Sequence, residues 1–337
     1  MSSQKEAQAA PYADVQTVGI PRALLYYRYG AFWRRFFEGI GRTVVVSEPS
    51  DLGIFERGQE ASVDETCLVS KLYLGHVRTL LDRDPAPDAI YVPGIANHGR
   101  WHTFCTKFQA LPDLVENAFY ERHPRIISTF VEEQETDALR EKVYTEFALG
   151  FGVTRKEARS AYRAAVRAQR DHDAALAKAQ DELVAAQAKL PAGERPLTIL
   201  VAAHPYVLHD PFVGGPVIDA LRGMGVTVLF SDEFDHERAY KRSFDFSQSM
   251  PWMINREIVG CVLERFDHVD GIVLMSAYPC GPDSMTDDAI SRRIKGKPLL
   301  TLTVDAQSGT AGIETRIESF VDILTYQKRG GYLHEER

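Results

Sequence analysis

The sequence predicts an α/β protein built as two doubly wound, mainly parallel-sheet lobes with a helical arm between them. Three observations support this. Short β-branched runs alternate with helical stretches towards both ends of the chain, a pattern that implies right-handed crossovers and parallel strands. A central stretch rich in Ala, Glu, Arg, Lys and Gln carries no convincing strand, so its composition favours helix. The 337 residues, 45% of them hydrophobic, also exceed what a single core usually organises.

In order along the chain, Thr17 to Pro21 reads as a strand, and Leu24, Leu25, Ala31, Phe32, Phe36 and Ile40 then recur at roughly helical spacing until Gly41. Thr43 to Ser47 and Ala89 to Pro93 read as further strands around a helix from about Cys67 to Asp82. Glu132 to Leu190 should form a helical hairpin or arm, closed by Pro191 and Gly193. Strands are expected at Leu197 to Ala202, Val226 to Phe230, Gly271 to Met275 and Pro298 to Val304. Helices are expected at Pro216 to Gly223, Asn255 to Phe266 and Gly312 to Tyr326, with Lys328 to Arg337 a frayed tail. The expected units are residues 14–131, the arm at 132–195, and 196–327.

The formal net charge of −8 argues against broad attraction to nucleic acid or an anionic membrane. No run approaches a membrane span, and Met1 to Pro11 lacks the basic start and apolar stretch of a signal peptide. Four scattered cysteines suit thiols kept reduced in the cytoplasm rather than a disulfide scaffold. A cytoplasmic protein is expected.

Three of these cysteines sit where α/β folds concentrate chemistry, beyond strand ends or at helix starts. Cys67 opens a helix after a polar loop, Cys105 follows the strand ending at Pro93, and Cys280 follows Gly271 to Met275. Thiolates there could bind a soft metal or an iron–sulfur cluster. Spacing alone leaves open the alternative of packed structural thiols, because no compact C-x-x-C unit exists. Cys261, beside Ile258 and Val262, reads as a core thiol.

Several motifs resemble one family. They are Val18-Gly19-Ile20-Pro21-Arg22, Asp64-Glu65-Thr66-Cys67 with Gly75-His76, Cys105-Thr106-Lys107-Phe108, Ala203-His204-Pro205-Tyr206 with Asp210-Pro211, Cys280-Gly281-Pro282-Asp283-Ser284, and Thr315 to Asp322. Together they resemble the acyl-CoA dehydratase activase-related proteins, which are similar to the cluster-bearing subunits of 2-hydroxyacyl-CoA dehydratases. The resemblance implies that Cys67, Cys105 and Cys280 hold a 4Fe-4S cluster with one iron left open. It also implies an anaerobic redox system in which an ATP-dependent activase, a separate chain, donates low-potential electrons, with an acyl-CoA as substrate. A homo- or hetero-dimer would fit such a system.

Around that cluster, His204, Glu65, Asp283 and Ser284 are candidates for proton handling, and Lys107 and Tyr206 for contacts to the cofactor. Helix capping explains Asp283 and Ser284 equally well, and backbone carbonyls could satisfy His204. Arg155, Arg159, Arg163 and Arg167 fall on one helical face. That face is either solvated or a docking strip for an acidic partner or the phosphates of coenzyme A.

The sequence departs from the family where Thr106 replaces a common proline, and where Ala306 and Thr310 stand in place of usual carboxylates. Six cysteines would be expected of the double-cubane reductases of this superfamily, so the four here argue against that assignment without a second subunit. No phosphate-binding loop of the G-x-x-x-x-G-K-[ST] type is present, so the chain is not expected to be an ATPase by itself. Three readings follow: a dehydratase or reductase component, a non-catalytic cluster-carrying accessory or scaffold, and a metal-free two-lobed binding protein.

Overall fold

The structure, a computed structural model, describes residues 10–99, 101–134, 139–191, 193–305 and 310–329. Its first sheet contains β1 (Thr17–Ile20), β2 (Thr43–Val46), β3 (Ala89–Tyr91) and, further along the chain, a strand at Ile126–Ile127, in the order β2-β1-β3-(126–127). All three pairings are parallel. The crossovers are α1 (Tyr26–Gly39), then α2 (Leu52–Glu60) with α3 (Leu68–Leu81). A small sheet joins β4 (Gly94–His98), β5 (His102–Thr103) and a strand at Phe130–Gln134. The helices α4 (Thr106–Gln109) and α5 (Leu111–Ala118) precede β6 (Ile126–Ile127) and β7 (Phe130–Gln134).

The stretch expected to be purely helical therefore begins with β7, which runs through Gln134 and pairs in parallel with β4. It continues as α6 (Glu141–Leu149) and the 35-residue α7 (Arg155–Lys189), opened by a capping box between Thr154 and Glu157.

In the second sheet β8 (Thr198–Ala202), β9 (Thr227–Phe230), β10 (Gly271–Ala277) and β11 (Leu299–Val304) run in the order β11-β10-β8-β9, again parallel throughout. Its crossovers are α8 (Pro205–Leu208), α9 (Gly215–Gly223), α10 (His236–Arg242), α11 (Met253–Arg265), α12 (Gly281–Arg293) and α13 (Thr310–Lys328). β10 is buried along its whole length, as expected for a central parallel strand covered on both faces. No described helix is long and apolar enough to cross a membrane.

The arm does not stand free. Gly39 of α1 lies so close to Ala161 of α7 that a side chain at position 39 would overlap it. The side-chain oxygen of Gln180 accepts the backbone N–H of Phe230, and Gln187 donates to Thr227 Oγ1 at 2.8 Å. α7 thus covers the edge strand β9 of the second sheet while packing on α1 of the first, which also blunts an exposed edge.

The two sheets are clasped by buried polar contacts. Arg28 of α1 and Glu257 of α11 pair bidentately at 2.6 and 2.8 Å with almost no exposure. Loss of one partner would strand a buried charge, at a cost of about 3–5 kcal/mol. A second clasp runs through His76 of α3. Burial, reinforced by Arg22, holds its pKa down at about 3, so the ring is neutral. The chain of donors then has one direction: Arg22 N–H to Ser47, Ser47 to His76 Nδ1, His76 Nε2–H to Ser50, and Ser50 to Asp210 of the second lobe. Asp210 also accepts from Tyr27 Oη and from the backbone N–H groups of Phe212 and Val213.

Helix α3 is seated by backbone contact rather than by side chains. A Cβ at Gly58 would meet the carbonyl oxygen of Lys71 at 1.8 Å, and one at Gly75 that of Ile54 at 1.9 Å. Only glycines allow α2 and α3 to cross so closely. Gly75→Ala should therefore destabilise the fold by at least about 1–3 kcal/mol, as overpacked cores do, measurable as a lowered urea midpoint. An unchanged midpoint would show that the crossing is looser than described.

Candidate functional site

Each of the three cysteines singled out above is the residue immediately before a helix. Cys67 precedes α3, Cys105 precedes α4 and Cys280 precedes α12. The helix dipoles thus present their positive ends to the sulfur atoms. A direct tie between the lobes lies beside them: the backbone N–H of Leu68 donates to the carbonyl oxygen of Tyr278 at 3.0 Å. Cys67 is buried, whereas Cys105 and Cys280 are half-buried.

The sulfur atoms share one electrostatic neighbourhood. Burial raises the pKa of Cys105; charge on Cys67 and Asp283 adds to the rise, while Lys107 opposes it. Burial likewise pushes Cys280 up strongly, with Asp283 and Cys105 adding repulsion. Tyr206, fully enclosed, is raised well above its ordinary value by burial and then by Asp283 and all three cysteines. Its ring stacks on His204 at 4.9 Å and meets Phe108, of α4, edge-on at 5.9 Å. The site is thus assembled from both lobes around Tyr206.

The predicted polar residues divide by placement. Lys107 reaches across to Cys67, its Nζ 3.5 Å from the sulfur, while its backbone and charge also act on its neighbour Cys105. His204 Nδ1 lies 3.0 Å from Asp283 Oδ1, both buried. Burial raises the Asp283 pKa, but His204, Asn255 and the Cys280 thiol together outweigh it and the net shift is downward. Ser284 turns back to donate to the carbonyl oxygen of Cys280 at 2.8 Å. Glu65 is exposed and has no ion pair among the described residues. Lys71 is engaged by the carbonyl oxygen of Asp64. Ala306 lies outside the described residues, as does the side chain of Thr310.

Three contributors were missed. Ser70 Oγ lies 3.1 Å from Cys67 Sγ, Asn255 donates to Asp283 at 2.9 Å, and Asp287 is buried one turn beyond Asp283. Asp287 could have been found from its spacing to Asp283 on one helical face. Cys261 is fully buried in α11, as its apolar surroundings suggest.

Among the described residues, no three His, Cys, Asp or Glu side chains gather as a single metal ion would require. A cluster holds its thiolates at separate corners, and so asks for neighbouring sulfurs rather than touching ones. Three neighbouring thiols at helix starts, with a cation at 3.5 Å from one of them, are a donor set of that chemistry.

A chain with two parallel sheets and a thiol-rich seam between them defines a class of two-lobed α/β proteins. More particularly, the chain belongs to the family described as CoA enzyme activase uncharacterised domain, whose profile matches residues 17–234. The match includes Cys67 and Cys105 and ends before Cys280. No curated protein matches the chain. Solved structures with some likeness include the periplasmic zinc binding protein TroA from Treponema pallidum, at 12% identity over 92% of this chain and 99% of that one, with a TM-score of 0.24. Another is the Mn2+ complex of FpvC from Pseudomonas aeruginosa, at 11% identity over 94% and 100%, with a TM-score of 0.25. A periplasmic metal binding protein from candidatus liberibacter asiaticus gives 10% over 91% and 99%, with a TM-score of 0.24. Likeness at that level carries no argument about function.

Asp287 gives the site a pH signature. Burial first, then repulsion from Asp283, raises its pKa from 3.8 to about 7. Between those values the folded chain holds a proton that the unfolded chain has lost, so this group's contribution to stability fades as pH rises through that window. Thermal unfolding at pH 5 and pH 7.5 should show wild type losing on the order of a few degrees more than Asp287→Asn. Equal pH dependence of the two proteins would contradict the assignment.

Proposed function

We propose that the chain is an iron–sulfur redox protein of the 2-hydroxyacyl-CoA dehydratase type, with Cys67, Cys105 and Cys280 holding a 4Fe-4S cluster. The observation that carries this reading is that three sequence-distant helix starts meet at one seam: Lys107, just after Cys105, reaches Cys67 Sγ at 3.5 Å, and Leu68, just after Cys67, donates its backbone N–H at 3.0 Å to Tyr278, just before Cys280. Membership of a CoA enzyme activase family supports a partnership with an ATP-dependent activase as electron donor.

Bound there, the cluster supplies one-electron transfer at low potential. The chain's own residues then have definite tasks. Lys107 places its ammonium 3.5 Å from the sulfur of Cys67, a donor for a ligating sulfur. Tyr206, Phe108 and His204 wall the seam with buried rings, which excludes water from a reduced centre. Asp283, its carboxylate held ionised by its neighbours, fixes the His204 ring through the 3.0 Å contact to Nδ1 and so orients it on the second-lobe side, near an acyl-CoA entering the seam.

The sequence itself favours one alternative. Ala306 and Thr310 stand where relatives carry carboxylates, which fits an accessory that carries the cluster without acting on substrate.

Anaerobic reconstitution with iron and sulfide decides the cofactor. About four irons and four sulfides per chain are expected, falling sharply in Cys105→Ser and unchanged in Cys261→Ser. No iron retained by the wild-type chain would overturn the reading. Reduction by the cognate activase with ATP, followed by acyl-CoA turnover, separates the catalyst from the accessory.

A further inference from the structure

A second feature lies away from the cysteine seam. Along the solvent side of α7 runs a groove of about 950 Å³, lined by Arg155, Lys156, Arg159, Arg163 and Arg167, with Arg35 of α1. Its floor is formed by Ser160, Ala164 and Ala168, small residues four apart that let another helix approach closely. Arg155 is neutralised by Glu146 at 2.7 Å, and Arg159 lies 3.7 Å from Glu141. Lys156, Arg163 and Arg167 are exposed and have no ion pair among the described residues. Asp171 closes one end.

This is a concentrated positive strip on a chain whose net charge is −8. Its cations are spaced at about 6 Å, four residues along a helix. Among the described residues, no aromatic side chain lines it, and the stacking surface expected of a nucleobase site is not found there. A straight row with a flat floor fits another helix bearing carboxylates at the same pitch.

The chain itself carries such a helix. On α13, Glu314, Glu318 and Asp322 recur every fourth residue, all three exposed and without an ion pair among the described residues. They form an acidic row of about 12 Å. Beside it Ile323 and Tyr326 are 43% and 52% exposed, apolar area that a small-residue floor could cover.

We propose that the α7 groove of one copy receives the acidic face of α13 from a second copy. Arg163 and Arg167 meet the carboxylates of Glu318 and Asp322, and Ile323 lies against Ala164 and Ala168. The contact joins two different surfaces, so it either closes into a ring or continues as a chain of copies. Its charge pairing is at the surface and therefore salt-sensitive.

Sedimentation velocity of the full chain tests this. In about 20 mM salt the mass should rise with concentration above that of one chain, and return to it in about 500 mM salt, where exposed charges are screened. Arg163→Glu with Arg167→Glu should abolish association, as should Glu318→Arg with Asp322→Arg. An equimolar mixture of the two charge-reversed proteins should restore it, because each groove then faces a helix of opposite sign. The proposal fails if the wild type stays monomeric at low salt, if either double variant still associates, or if the mixture does not. Saturable binding of inorganic triphosphate to a chain that stays monomeric would instead make the groove a phosphate seat.

Discussion

Everything at the site depends on holding two separately wound sheets in one fixed relation. The buried Arg28–Glu257 pair and the directed chain from Arg22 through His76 to Asp210 do this with charges and hydrogen bonds that water cannot easily replace. Helix α7 adds a brace by packing on α1 and satisfying the backbone of β9. Each contact joins residues far apart in sequence, and their satisfaction depends on the same docking. The seam between the lobes is therefore part of the core and not a loose cleft.

That constraint has a chemical consequence. His76 lies on the helix opened by Cys67, and Asp210 lies in the loop just beyond His204 and Tyr206. The clasp thus sets the distance between the first cysteine and the second-lobe residues that face it. Burial favours the neutral thiol at Cys105 and Cys280, opposing the helix dipoles and Lys107. Left to themselves these thiols stay protonated. A positively charged centre bound there would reverse that balance.

Much of the architecture was legible because parallel strands leave strong local signals. The runs at Thr17, Thr43, Leu197 and Gly271 are β-branched and apolar, and each forms a strand. The small sheet was not legible: β4, β5 and β7 are short and include Asn97, His98 and Glu133, β5 adds only two residues in a hairpin with β4, and β7 pairs with β4 from well along the chain. Helix α12 was hidden because its buried face carries Asp283, Thr286 and Asp287 rather than an apolar stripe. Cys67 was legible as a helix start, and Cys105 and Cys280 as residues following strands, but which group meets which sulfur was not. That Lys107 serves Cys67, and that Asn255 holds Asp283, are facts of docking between elements which no local pattern encodes.

The central claim is that Cys67, Cys105 and Cys280 share one seam while Cys261 stands apart in its helix. Treatment of the native, metal-free chain with a short bifunctional thiol reagent, followed by peptide mapping, tests this directly. Links should form among the peptides carrying Cys67, Cys105 and Cys280, and none should include Cys261. Independent single modification of the three, with no link between the lobes, would contradict it.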